Sequence, residues 1–122
     1  MTEERLSLGR WGEAEAARYL RRLGMKILER NMRTPVGEID LIARQGRTLV
    51  FVEVKTRRSD AFGTPQEAVG PFKQRQILRA AQWYLGDGRG RGLQPRFDVV
   101  AVRPGPQGAV VEHIPDAFGS RS

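Results

Sequence analysis

The stretch Leu49-Val50-Phe51-Val52-Glu53-Val54-Lys55 has the composition of a buried β-strand, yet it carries two charges. Side chains alternate across a strand, so Glu53 and Lys55 share a face with Leu49 and Phe51. A charge taken out of water costs several kcal/mol unless it is paired or binds an ion. Upstream, Gly37-Glu38-Ile39-Asp40-Leu41-Ile42 repeats the device, with Glu38 and Asp40 set among strand formers. Any fold for this chain must provide for these charges.

The two stretches read as a hairpin, Val36 to Ala43 and Thr48 to Thr56, turning at Arg44 to Arg47 around Gly46. With an even loop Ala43 faces Thr48, Asp40 lies opposite Phe51, and Glu38 opposite Glu53. Asp40 and Glu53 are then diagonal neighbours on the face that also carries Lys55. A three-residue bulged loop would shift the register by one and send Asp40 to the other face.

The other elements follow from periodicity. Ser7 to Leu23 reads as an amphipathic helix with Leu8, Gly12, Ala16, Tyr19, Leu20 and Leu23 on one face, and Arg10, Ala14, Ala17 and Arg21 opposite. Ser7 suits an N-cap, Gly24 a stop, and Gly12 a close approach to a sheet. Glu13 and Glu15 flank the apolar face on opposite sides, and helical geometry does not choose between them. Lys26 to Arg33 is a first strand. Arg57 to Pro65 is a polar loop, and Gln66 to Leu85 is mostly helical, with Gly70-Pro71 starting its main part. Ile77, Ala80, Ala81 and Tyr84 form the apolar face of that helix, with Lys73 on the same side. Phe97 to Val102 and Ala109 to Ile114 complete the strands, and residues 115–122 read as a flexible tail. The order α-β-β-β-α-β-β in 122 residues implies one domain, a mixed β-sheet flanked by helices.

No apolar run approaches the ~20 residues a membrane span needs, and the N-terminus lacks the pattern of a signal peptide. There is no cysteine and a single histidine, His113, which excludes disulfides, thiolate zinc and histidine-cluster sites. The expected compartment is cytoplasmic. The net charge is +7, and all but three of 21 basic residues are arginine, which suits a polyanionic partner such as DNA.

Carboxylates and a lysine on adjacent apolar strands have two explanations. One is a hard-metal site. Asp40 and Glu53, with the Val54 carbonyl, offer oxygen ligands for Mg2+ or Mn2+, and Lys55 is placed to stabilise charge at a phosphoryl group. The other is a cross-strand ion pair in which Lys55 balances Glu53 or Asp40. Arg57 and Arg58 follow the strand directly and are the preferred phosphate contacts, with Lys73 a further candidate. Trp11 and Trp83 either stack on bases or pack. Glu38 reads as an arginine partner, Asp98 as a cap or pairing residue, and His113 as structural or solvent-facing.

Asp40 followed by Glu53-Val54-Lys55, behind a helix carrying Glu13, resembles the motif of the PD-(D/E)xK nuclease superfamily. It is most similar to a group of small bacterial endonuclease-like proteins related to archaeal Holliday junction resolvases. The resemblance runs from Gly9-Arg10-Trp11-Gly12-Glu13 through Gly37 to Ile42 and Phe51 to Arg57, on to Phe62-Gly63, Lys73 and Arg96 to Val100. Ile39 stands where the motif has proline. The resemblance implies a restriction-endonuclease-like α/β core and a Mg2+- or Mn2+-dependent endonuclease acting on branched or otherwise structured DNA. By the same resemblance Asp40 and Glu53 hold the metal, Lys55 is the catalytic lysine, and Glu13, rather than Glu15, joins them from the first helix. It also implies a homodimer, because a four-way junction offers two symmetric cleavage points. Since the superfamily includes members that bind without cutting, the alternative is a non-catalytic nucleic-acid-binding protein.

Overall fold

A computed structural model describes residues 3–58 and 69–119. Two helices, α1 (Glu3–Arg22) and α2 (Pro71–Gly86), flank a sheet of β1 (Lys26–Thr34), β2 (Gly37–Gln45), β3 (Thr48–Thr56), β4 (Gln94–Gly105) and β5 (Gly108–Phe118). The spatial order of the strands follows the chain, and only β3 and β4, the pair that α2 connects, run parallel. The expected mixed α/β architecture and element order are therefore present. Most of the polar loop after β3, including Phe62-Gly63 and Pro65, lies outside the described residues.

Strand alternation divides the core in two. Ile42, Leu49, Phe51, Phe97 and Val99 pack with Ile77, Ala80, Ala81 and Tyr84 of α2. Leu41, Ala43, Val50, Val52, Val54, Val100 and Val102 pack with Ala16, Ala17 and Leu20 of α1. Ala17, expected on the solvent side of α1, is fully buried. The helix lies so close to the sheet that its small residues on both flanks are covered. Gly12 shows how close: a Cβ there would fall inside the Thr56 side chain. Helix α1 starts at Glu3, ahead of the expected cap at Ser7, and Gly24 ends it in a left-handed conformation, φ 92°. Pro71 opens α2 as expected, with Gly70 at the N-cap.

The hairpin turn corrects one expectation. Gln45 pairs with Thr48, so the loop is only Gly46-Arg47, and Gly46 takes φ 60° to reverse the chain. The loop is even, which preserves the faces, but every pairing moves by two. Ile42, not Asp40, lies opposite Phe51.

Strand β5 also exceeds its expected length, running to Phe118 where a tail from Pro115 was expected. The reason is Asp98. Its buried carboxylate accepts hydrogen bonds from Arg96 Nε and Nη2 at 2.9 and 2.8 Å, and from the Asp116 backbone N–H at 3.0 Å. His113 Nε2 lies 2.7 Å away. Asp116 has φ 53°, and the β4–β5 register shifts between Phe97 and Val99, so the carboxylate pins a bulge that lets Phe118 return beside Phe97. Burial pushes the Asp98 carboxyl up, but the bonds from His113, Arg96 and Asp116 outweigh it and hold it at about 2.

Two outcomes are expected. Gly12→Ala destabilises the fold by about 1–3 kcal/mol in denaturant titrations, with partial recovery in the double variant with Thr56→Ala. A carboxylate with a depressed folded pKa contributes stability above its unfolded pKa of about 3.8 that is lost as pH falls towards about 2. Asp98 thus contributes about 2 kcal/mol that fades over that window, and Asp98→Asn shows a flatter acid limb in unfolding against pH.

Candidate functional site

Ile39 and Leu41 are two residues apart and belong on one face of a regular strand, yet they pack in opposite halves of the core. Strand β2 therefore rolls over at Asp40. The β2–β3 ladder ends there as well: its last pair is Leu41 with Val52, while β2 remains paired with β1 back to Gly37. Beyond that pair the Asp40 side chain replaces the backbone, Oδ2 accepting the Val54 N–H at 2.8 Å. The result is a wedge between β2 and β3. Both polar groups of a strand residue point to the same side, so the Val54 carbonyl faces the wedge too.

Continuing the register by one step sets Asp40 level with Glu53, closer than the expected diagonal. Glu53 is 6% exposed and shares a hydrogen bond with Asp40. Burial comes first, then that bond and the Asp40 charge, in pushing the Glu53 carboxyl up to about 8. Lys73 and Lys55 pull the other way, Lys73 more strongly. Lys73 Nζ stands 3.7 Å from Glu53 Oε2. The sequence left Lys73 to reach the site, contact phosphate or snorkel; the structure pairs it with Glu53. Its place one turn into the apolar face of α2 was the available signal.

Glu13 approaches from α1. Burial, then the Asp40 charge, holds its carboxyl above the ordinary range, against a hydrogen bond from the Asn31 side chain and the charge of Arg30. Glu15 instead pairs with Arg18 at 3.3 Å; of the two glutamates, Glu13 is the one raised by the Asp40 charge. Glu38 pairs with Arg33 at 3.4 Å, as expected. Arg57 continues from β3, its N–H donating to the Val102 carbonyl at 2.9 Å, and exposed Arg58 lies 3.8 Å from Glu4. His113 is a partner of Asp98 and Tyr19, remote in role from this cluster.

Among the described residues no three carboxylate or imidazole side chains gather as ligands of one ion. What assembles is a pair, Asp40 and Glu53, with the Val54 carbonyl on the same wedge. Burial first, and then Asp40, make it costly for Glu53 to ionise beside its neighbour. Two carboxylates and a carbonyl fit a hard divalent cation that keeps several of its waters. No helix among the described residues is long and apolar enough to cross a membrane.

A family model described as "Uncharacterised protein family UPF0102" matches residues 12–102, a span holding every residue of this cluster. Similar proteins, each described as a UPF0102 protein, include one from Syntrophotalea carbinolica, 69% identical over 118 residues, 97% of this chain and 96% of the relative. One from Geotalea daltonii is 56% identical over 114 residues, 92% of this chain and 89% of the relative. A third, from Syntrophus aciditrophicus, is 52% identical over 115 residues, 94% and 91% of the two chains.

The raised Glu53 carboxyl has a measurable consequence. A carboxyl with a raised folded pKa contributes stability that is intact below about 4.5 and lost as pH rises towards about 8. In metal-free buffer at about pH 8, Glu53→Gln is therefore expected to melt several degrees above the wild type. If the pair takes a divalent cation, Mn2+ is expected to raise the wild-type melting temperature, more at about pH 8 than at about pH 6, and to leave Glu53→Gln unmoved.

Proposed function

The chain belongs to the uncharacterised protein family UPF0102, and we propose that it is a Mg2+- or Mn2+-dependent endonuclease that hydrolyses DNA phosphodiesters. The observation that carries this reading is the hydrogen-bonded Asp40–Glu53 pair in the wedge where β2 leaves β3, with Glu53 pushed up to about 8. Asp40, Glu53 and the Val54 carbonyl would hold the ion. Bound there, it supplies neutralising charge to the phosphodiester and acidifies a coordinated water.

The chain's own groups do the rest. Asp40 is oriented by the Val54 N–H before any ligand arrives. Glu53 must give up a proton to become a ligand, and the nearby ammonium of Lys73 favours that ionised form. Lys55, two residues along the same strand face, carries a positive charge towards the phosphate, where negative charge grows during attack. Glu13 adds a carboxylate beside Asp40 from α1, placed to accept a proton or to orient water. Arg57 and Arg58 leave β3 at this end of the sheet and bind flanking phosphates. The PD-(D/E)xK resemblance assigns Asp40, Glu53, Lys55 and Glu13 to the same roles. The resemblance to Holliday junction resolvases supports a reading in which the substrate is branched DNA and two copies act together.

A second reading, nucleic-acid binding without cleavage, draws on the absence of a third close ligand among the described residues. A cleavage assay separates the two. With Mg2+ or Mn2+, the wild type is expected to cut branched or single-stranded DNA and to lose activity in EDTA. Asp40→Ala and Glu53→Ala reduce cutting to background, and Lys55→Ala lowers it about 100- to 1,000-fold. Equal cutting by both carboxylate variants would remove the site from consideration. Salt-dependent binding with no cleavage by any form would favour the second reading.

A further inference from the structure

Helix α2 presents a surface that the cluster does not use. At 100° per residue Phe72, Arg75, Arg79 and Trp83 fall within a stripe about 80° wide, opposite the buried Ile77, Ala80, Ala81 and Tyr84. Phe72 is 68% exposed and Trp83 40%, and both arginines are exposed. Neither arginine has an ion pair among the described residues. No acidic residue occurs anywhere between Pro71 and Gly86.

This arrangement works against the helix itself. Two large apolar side chains stand in water, and Lys73 and Arg75 sit near the positive end of the helix dipole. Lys73 is offset by Glu53, but no ion pair among the described residues offsets Arg75, and the two rings stay exposed. A ligand that supplies negative charge and flat apolar faces in alternation would satisfy both, and single-stranded DNA has that chemistry: phosphates for the guanidinium groups and unpaired bases for the rings. A duplex offers the phosphates alone, because its base faces are already stacked. From Phe72 to Trp83 the stripe is about 16 Å long, enough for a few nucleotides. It starts in the helical turn that brings Lys73 to Glu53.

We propose that the outer face of α2 binds a single-stranded DNA segment, with Phe72 and Trp83 stacking on bases and Arg75 and Arg79 holding the phosphates between them. Its role as the lead-in to the Asp40–Glu53 wedge, which makes a single-stranded flap or arm the preferred substrate feature, rests on the nuclease reading. The binding surface itself does not.

Binding of a fluorescein-labelled 12-nucleotide dT strand, measured by anisotropy in EDTA, tests the surface without cleavage. The wild type is expected to bind the single strand more tightly than a duplex of the same length. Phe72→Leu, which keeps apolar bulk, and Trp83→Ala each weaken single-strand binding roughly 5- to 100-fold and leave duplex binding within about twofold. Arg75→Gln with Arg79→Gln lowers the slope of log affinity against log salt by about 1.4. Arg10→Gln with Arg21→Gln, equal in charge change but on α1, leaves the preference for single strands intact. Asp40→Asn and Glu53→Gln also retain it; a wild type that binds the single strand but cuts no DNA with Mg2+ or Mn2+ would sink the nuclease reading and leave this one standing. Cleavage with no single-strand preference, or ring variants that bind as the wild type does, would overturn the surface. So would tighter binding of a U12 RNA by tenfold or more. Sedimentation showing that Phe72→Leu abolishes self-association without touching DNA binding would reassign the stripe to a contact between copies.

Discussion

Everything at this end of the molecule turns on one hydrogen bond, from the Val54 N–H to the Asp40 carboxylate. Had the ladder continued, that N–H would have met a backbone carbonyl of β2 and the strands would have closed over the gap. The side chain takes the bond instead, so the backbone is satisfied while the strands part. Satisfaction is required, because an orphaned amide at such a buried position costs about 1–3 kcal/mol. The wedge is therefore a stable opening, not a frayed edge. β2 stays anchored to β1 and β3 to β4 on either side of it.

A parted ladder also explains how groups from both faces of one sheet meet. A continuous sheet separates α1 from α2 by its own thickness, as it does along the rest of this fold, where the two halves of the core share no residue. At the wedge Glu13 from α1 and Lys73 from α2 both feel the same carboxylate pair. Each helix is positioned for this by something unrelated to charge. The missing side chain at Gly12 lets α1 sit against Thr56, and Pro71 starts α2 so that its first turn carries Lys73 to Glu53.

Much of this was legible in the sequence, and the misses have physical causes. Strand β3 has its expected ends because apolar residues and turn formers bracket it without ambiguity. The hairpin register was off by two because Arg44 and Gln45 suit either a turn or the solvent side of a strand. A glycine with positive φ tightens the loop without announcing its length. Asp40 came out nearer to Glu53 than expected because a roll in β2 cannot be seen in a pattern that assumes strict alternation. Ala17 was misplaced because alanine contributes little to an apolar wheel. The end of β5 was missed because Pro115 and Asp116 look like breakers, and only the distant Asp98 turns them into a bulge. In each case the deciding contact is long-range.

Two buried carboxylates in the same sheet show why the wedge is hard to read as a structural ion-pair network. Asp98 is wholly buried, yet bidentate Arg96, His113 and a backbone N–H bring it to about 2. That is what a carboxylate retained for the fold looks like: every lone pair has a donor, and the charge is cheaper to keep than to lose. Glu53 is buried to a similar degree and receives the opposite treatment. Burial and then the neighbouring Asp40 carboxylate push it up to about 8, against Lys73 3.7 Å away and partly in water. Moving a single arginine into the wedge would have settled the pair, and this chain has arginines in abundance. The same sheet thus holds one buried carboxylate whose charge is fully met by donors and one, Glu53, whose burial and carboxylate neighbour favour the protonated form.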